Sequence, residues 1–219
     1  MKEYFVKLTN GETFDAGTIF CVGQNYAKHI AEMGSVAAAD PVIFIKPPQA
    51  IINNNEELHL PEFSQNVHHE VELVLLIGKD CENINIDEAK DYIAGYGIGI
   101  DVTARDIQEN AKKGGKPWAV AKGFKQSSPL SEFIPADTVL DNSSFDLKLW
   151  VNEDLRQSGN TKDMERSVEQ LVSYLSKVFS LRKGDIIFTG TPEGVGKISS
   201  GDVIKAKLNE EISLKINVK

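Results

Sequence analysis

Glu70 and Glu72 stand two apart at the start of His68-His69-Glu70-Val71-Glu72-Leu73-Val74-Leu75-Leu76-Ile77. Alternate residues of a strand share a face, which puts these carboxylates about 6–7 Å apart on one side. There they repel each other, and burying them unpaired is costly. Two arrangements escape the cost: a divalent cation between them, or an edge strand whose polar face meets water. Asp101 favours the cation. It closes the apolar, glycine-punctuated run Ile93-Ala94-Gly95-Tyr96-Gly97-Ile98-Gly99-Ile100, where a carboxylate otherwise has no reason to sit. Glu70, Glu72 and Asp101 form an all-oxygen set suited to Mg2+, Mn2+ or Ca2+ rather than zinc. Three carboxylates also leave coordination positions for substrate and water. The adjacent His68-His69 pair lacks HExxH spacing and its members face opposite sides of a strand, so both are expected to play structural or supporting parts.

Other residues could carry chemistry. In Asn25-Tyr26-Ala27-Lys28-His29-Ile30-Ala31-Glu32, His29 and Glu32 are helical neighbours three apart. A carboxylate beside an imidazole fixes its tautomer and raises its basicity, which makes a base for activating water. Solvated surface pairs at this spacing are common, and spacing alone favours that plainer reading. Lys122 lies in the apolar stretch Trp118-Ala119-Val120-Ala121-Lys122-Gly123-Phe124. It either snorkels to the surface or meets a substrate carboxylate or enolate. Arg105, shortly after Asp101, is a further anion-binding candidate. The segment Phe188-Thr189-Gly190-Thr191-Pro192-Glu193-Gly194-Val195-Gly196 forces a tight backbone that can present N–H groups to a ligand, or make a plain hairpin turn. Its spacing to Lys197 is one residue too long for a Walker loop, and Ile198 follows where Ser or Thr is required.

The elements that must position these residues are mostly strands. Apolar or alternating runs predict strands over Tyr4–Leu8, Thr18–Val22, Val42–Ile45, Glu70–Ile77, Ile93–Ile100, Phe145–Val151, Ile186–Thr189, Val203–Lys207 and Ile212–Val218. Helices are fewer. Val168, Leu171, Val172, Leu175, Val178 and Phe179 form an apolar stripe, with Ser167 and Gln170 at capping-box spacing and Lys183-Gly184 suited to its end. Thr103–Lys113 is a second helix, with Thr103 and Asp106 at capping-box spacing; a short third runs from Tyr26 to Met33 and stops at Gly34. Strands and helices do not alternate regularly, which argues against a doubly wound fold. The expected class is α+β, β-rich, with mixed or antiparallel sheet and a few short helices.

The 219 residues are 41% hydrophobic and 26% charged, ordinary for a globular chain, and suit one domain spanning 1–219. Lys and Arg number 24 against 32 Asp and Glu, a net charge of −8. An acidic chain has no general pull toward phosphate backbones or anionic lipid, so neither nucleic acid nor membrane is an expected partner. Cys21 and Cys81 make no CxxC and no disulfide framework, as fits a reducing compartment. No secretory or organelle leader is evident, and a cytoplasmic location is expected.

Taken in order, these motifs resemble the fumarylacetoacetate hydrolase superfamily, and within it the short branch of acylpyruvate hydrolases and oxaloacetate decarboxylases. The resemblance rests on Cys21-Val22-Gly23-Gln24-Asn25-Tyr26, His29, Glu32, Lys46-Pro47, His69-Glu70-Val71-Glu72, Gly95-Tyr96 through Asp101, Thr103-Ala104-Arg105-Asp106, Trp118 through Lys122, and Thr189 through Gly196. It implies a β-rich roll of mixed sheets, commonly a homodimer. It implies Glu70, Glu72 and Asp101 as Mg2+ or Mn2+ ligands, Lys122 as an active-site lysine, and His29 with Glu32 as a catalytic pair on a lid. Arg105, Gln108, Thr191 and Lys46 match positions that meet a small 2-oxo acid substrate. The implied activity is metal-dependent C–C cleavage of acylpyruvates such as acetylpyruvate or fumarylpyruvate, with decarboxylation of oxaloacetate beside it. Isomerisation or decarboxylation of dicarboxylic dienoates and tautomerisation of oxaloacetate are the alternatives. One departure bears on substrate choice: Gln24 stands where the branch usually has Arg.

Overall fold

Strand Val71–Ile77 is buried along its whole length, and its two faces serve two different cores. Val71, Leu73, Leu75 and Ile77 join the larger core, while Val74 and Leu76 join the smaller, as the two-residue period requires. The computed structural model, which describes residues 4–34, 38–140 and 144–219, places this strand inside an eight-stranded sheet. The sheet runs Val42–Lys46, Ile19–Gly23, Ile186–Phe188, Val71–Ile77, Ile93–Ile100, Ser128–Leu130, Ile51–Asn53, and Ile134–Pro135 adds to the Ile93–Ile100 edge. Ile186–Phe188 pairs parallel with Ile19–Gly23 and antiparallel with Val71–Ile77, so the sheet is mixed. A second sheet of five strands, Asp154–Asn160, Asp146–Val151, Val203–Leu208, Ile212–Val218 and Glu57–Leu58, packs its apolar face into the larger core. The expected β-rich α+β roll is the observed fold.

Helix α4, Val168–Phe179, starts as predicted. Ser167 Oγ accepts from Gln170 N at 3.3 Å, and Gln170 Oε1 accepts from Ser167 N at 2.9 Å. Its stripe buries Leu171, Val172 and Leu175, but Val178 and Phe179 emerge at the surface. The helix stops at Phe179 rather than running to Lys183-Gly184, because Ser180 turns left-handed at φ 58° and Gly184 N instead donates to Ile77 O. Helix α1, Ala27–Glu32, matches the short predicted helix, and Gly34 N closes it onto Ala31 O.

Two expectations need correction near the site. Helix α2 spans Arg105–Lys113, and no Thr103–Asp106 capping box forms. Thr103 lies in the short strand Thr103–Ala104, its hydroxyl held between Asp101 O and Lys122 Nζ. Asp106 instead accepts from Ser64 Oγ at 2.5 Å and Gln65 N at 2.9 Å. Glu70 is not the first residue of a continuous strand. It sits at the break between Val67–His69, in a three-stranded sheet with Thr103–Ala104 and Gly196–Lys197, and Val71–Ile77.

Candidate metal centre and active site

Two strands and a junction bring the carboxylates together. Glu72 lies on the Val74 and Leu76 face of its strand, directly opposite Gly99. Gly95, Gly97 and Gly99 line the facing side of Ile93–Ile100, and Asp101 continues that side by the same period. A Cβ at Gly99 would come 2.7 Å from Phe188 Cε1, so the Phe188 ring packs over this strand only because the residue is glycine. Asp101 N donates to Glu70 O at 2.8 Å, which ties the junction to the strand end. One oxygen from each of Glu70, Glu72 and Asp101 lies within 4.8 Å of the others, and all three residues are buried.

Three cations stand against them. Lys122, on the four-residue helix α3 (Ala119–Lys122), reaches Glu70 Oε2 at 2.7 Å, Asp101 Oδ2 at 2.6 Å and Thr103 Oγ1 at 2.7 Å. Lys46, at the end of the edge strand and fully buried, lies 2.8 Å from Asp101 Oδ1 and donates to Ser127 O at 2.5 Å. Arg105 donates one guanidinium nitrogen to Glu70 Oε1 and another to Gln108 Oε1, the latter at 2.6 Å. Burial raises the Glu70 pKa, but Lys122 and Arg105 outweigh it and hold the carboxyl well below its ordinary value. Burial also disfavours the Lys122 ammonium, and Asp101 and Glu70 more than restore it.

Glu72 differs. Burial, then Asp101, then Glu70 push its pKa well above the carboxylate range. Its Oε2 accepts from Gly190 N at 2.6 Å. A buried carboxylate beside two others keeps its charge only if positive charge arrives, and the donor set is entirely oxygen. These residues fit a hard divalent cation.

Helix α1 covers the centre. His29 Nδ1 lies 3.1 Å from Glu32 Oε2, and Glu32 Oε1 accepts from Gly194 N at 3.0 Å. The pair is therefore not a free surface pair: Glu32 anchors the imidazole and fastens the helix to the 189–196 turn. Asn25 fixes the approach to the helix, donating to Thr189 O at 2.8 Å and Arg166 O at 3.1 Å and accepting from Arg166 N at 2.9 Å. Gly190, at φ 101°, passes so close to Asn25 that a Cβ there would lie 2.8 Å from the Asn25 Cβ.

A narrow cleft opens over the triad. His29, Glu70, Glu72, Asp101, Arg105, Gln108, Lys122 and Thr191 line it. Of the sequence candidates, Lys46 lies behind Asp101 and Glu32 behind His29, and neither lines the cleft. His68 and His69 stay outside. Burial, then Arg105, lowers the His68 pKa to about 4, and burial lowers that of His69. His69 Nδ1 pairs with Gln157 Oε1 at 2.9 Å.

Sequence reasoning missed Gln157, a buried amide that also accepts from Val71 N and donates to Thr191 Oγ1 at 2.8 Å. Nothing in its strand flagged it. Gln24, at φ 61°, also lines the cleft, with its side-chain oxygen buried and unpartnered among the described residues. Lys112 was missed as well, although Arg105, Gln108 and Lys112 recur at helical spacing along one face.

A buried carboxylate triad in a mixed β-roll, capped by a short helix carrying an imidazole, is the layout of an enzyme domain whose floor could hold a divalent cation. The chain belongs to the fumarylacetoacetate hydrolase family: the pattern of that family's C-terminal region matches residues 18–218. Among its relatives is the mitochondrial oxaloacetate tautomerase of Bos taurus, 44% identical over 200 residues, covering 91% of this chain and 90% of that protein. The oxaloacetate tautomerase of Escherichia coli strain K12 is 46% identical over 190 residues, covering 86% and 87%. The crystal structure of fumarylpyruvate hydrolase from Pseudomonas aeruginosa in complex with Mn2+ and pyruvate superposes with a TM-score of 0.95 at 34% identity, covering all of this chain and 96% of that one. No helix among the described residues is long and apolar enough to cross a membrane.

Proposed function

We propose that the chain is a divalent-metal-dependent enzyme of small 2-oxo acids whose central act is proton transfer beside the 2-oxo group. Keto–enol tautomerisation of oxaloacetate is the leading reading. The observation that carries it is the His29–Glu32 pair, held at 3.1 Å, over a floor of three carboxylates and Lys122. The tautomerase names of the bovine and bacterial relatives support it.

Glu70, Glu72 and Asp101 would hold the ion, with Mg2+ or Mn2+ as the proposed occupant. Bound there, it supplies Lewis-acid polarisation of the 2-oxo group. His29 Nδ1 faces Glu32, which leaves Nε2 as the basic nitrogen for the cleft. His29 takes the proton from C3 of the substrate, the C–H pair becomes the C2=C3 bond, and the 2-oxygen gains a proton. Lys122, held as an ammonium, faces the negative charge that develops on that oxygen. Lys46 holds Asp101 in place from behind.

A second reading uses the same residues for hydrolysis of acylpyruvates. Here His29 takes its proton from water, and the water oxygen adds to the distal carbonyl. The C–C bond breaks, and its pair leaves with the pyruvate fragment, which picks up a proton. The likeness to fumarylpyruvate hydrolase supports it.

The deciding experiment follows enol absorbance and pyruvate release from oxaloacetate and from acetylpyruvate, with Mn2+ and with EDTA. Metal-dependent loss of the oxaloacetate enol signal without pyruvate establishes the tautomerase. Metal-dependent pyruvate release from acetylpyruvate establishes the hydrolase. Neither signal, with metal bound, overturns the proposal.

A further inference from the structure

We propose that Lys112 is a specificity-determining residue that receives a second, distal carboxylate, so that the site prefers dicarboxylic over monocarboxylic 2-oxo acids. The inference rests on the proposed function of the same site and adds a recognition element at its rim.

Arg105, Gln108 and Lys112 stand one above another on helix α2. The first two are committed: Arg105 to Glu70 and Gln108, and Gln108 to Arg105. Lys112, one turn further on, lines the same cleft. Among the described residues no carboxylate lies within 4.0 Å of its ammonium. An exposed lysine with no partner ordinarily extends into water, but this one folds back, with Nζ 5.2 Å from the centroid of the Trp118 ring. A cation over an indole face is held in direction without being neutralised.

Trp118 packs in turn on Phe44, with ring centroids 5.8 Å apart. The Phe44 centroid lies 5.0 Å from Lys122 Nζ. One wall of the cleft is therefore an aromatic strip with an ammonium at each end, Lys122 at the floor and Lys112 at the rim. With a divalent cation held beside Lys122 at the floor, such a strip fits a ligand with a short carbon body and negative charge at both ends.

Charge supports the same reading. On the floor, Lys46, Lys122 and Arg105 balance Glu70, Glu72 and Asp101. A divalent cation and Lys112, which has no carboxylate within 4.0 Å among the described residues, then add positive charge to the cleft, and a dianion matches it better than a monoanion. Burial and the Arg105 charge hold the Lys112 pKa below its ordinary value, with Glu70 opposing, and an incoming carboxylate relieves that.

The test compares wild type with Lys112→Met, Lys112→Arg and Lys116→Met. Met has helix propensity close to that of Lys, so the fold should be kept. Lys116 lies outside this cleft and controls for net charge. Calorimetry on the Mn2+-loaded proteins measures binding of pyruvate and of 2-oxoglutarate, which needs no turnover. Wild type should bind 2-oxoglutarate more tightly than pyruvate. Lys112→Met should weaken 2-oxoglutarate about tenfold or more and change pyruvate by less than about twofold, as loss of a charge-assisted contact predicts. Lys112→Arg should restore the preference, and Lys116→Met should leave it alone. Equal weakening of both ligands, or no preference in wild type, overturns the inference. In turnover assays the same variant should raise KM for oxaloacetate more than for acetylpyruvate. A binding contrast without turnover of either compound would leave Lys112 standing and remove the proposed function; turnover without the contrast would do the reverse.

Discussion

Gly99 lies directly across the antiparallel ladder from Glu72, on the face where the carboxylates converge. A Cβ at Gly99 would meet Phe188 Cε1 at 2.7 Å and Val74 Cγ2 at 2.8 Å, all within well-packed core. The packing beneath the carboxylate triad thus depends on an absent side chain. Gly99→Ala should cost about 1–3 kcal/mol of stability as overpacking. It should also weaken Mn2+ binding by displacing the Phe188 and Val74 side chains against the sheet face that carries Glu72 and Asp101. Urea unfolding and Mn2+ titration read the two effects, and unchanged Mn2+ affinity in a destabilised variant would show that the packing does not set the site.

Lys46 is fully buried with its ammonium 2.8 Å from Asp101 Oδ1. Removing one partner of a buried pair typically costs about 3–5 kcal/mol, because the remaining charge loses its compensation. Lys46→Met should lose stability on that scale in EDTA. Saturating Mn2+ should return part of the loss, since a cation bound to the native state takes up the Asp101 charge. Chemical unfolding with EDTA and with Mn2+ measures both, and an equal loss in the two conditions would reduce Lys46 to a packing role.

The triad was legible because its signal is local: two carboxylates two residues apart at the mouth of an apolar strand, and an apolar run ending in Asp101 that has no other use for a carboxylate. The capping box of α4 was legible for the same reason. The false capping box at Thr103 shows where local reading stops. Its two side chains are claimed by Lys122 and by Ser64 and Gln65, partners 19 to 42 residues away that no spacing rule reveals. The His29–Glu32 pair was ambiguous in sequence, since only the tertiary contact to Gly194 distinguishes an anchored pair from a solvated one. Gln157 was invisible, because an amide in an ordinary strand becomes a hub only when three separate segments meet it.

Glu72 gives the centre a pH signature. Burial and the Asp101 and Glu70 charges raise its pKa in the fold, so the native state holds a proton that the unfolded chain releases. Stability from this group is present below the unfolded carboxylate pKa and is lost as pH rises toward the raised native value. Glu70 has the opposite sign, so the two are separated by mutation. In EDTA, Glu72→Gln should flatten the decline in stability above the carboxylate range, measured by urea unfolding across pH. With Mn2+ the wild-type decline should disappear, and binding should release a proton, detected by calorimetry in two buffers of different ionisation enthalpy. Absence of proton release would mean that Glu72 is already charged.

On the proposed function, Glu32 would divide the reactions that share this site. Hydrolysis and tautomerisation would both use His29 as a base, whereas decarboxylation of oxaloacetate needs no attacking water. Glu32→Ala should therefore lower acetylpyruvate hydrolysis by about 10²–10⁴-fold, the scale of general-base catalysis, and oxaloacetate decarboxylation far less. Alanine also removes the acceptor for Gly194 N, so a loose helix could mimic a chemical loss. Glu32→Gln separates the two causes: its amide oxygen still accepts from Gly194 N, but it cannot balance a protonated His29. If Gln behaves like Ala in hydrolysis, the carboxylate acts through His29. If Gln behaves like wild type, Glu32 serves only to dock the helix. Equal loss of hydrolysis and decarboxylation in both variants would sink the division of roles, since a reaction without a water nucleophile should not depend on the group that activates it.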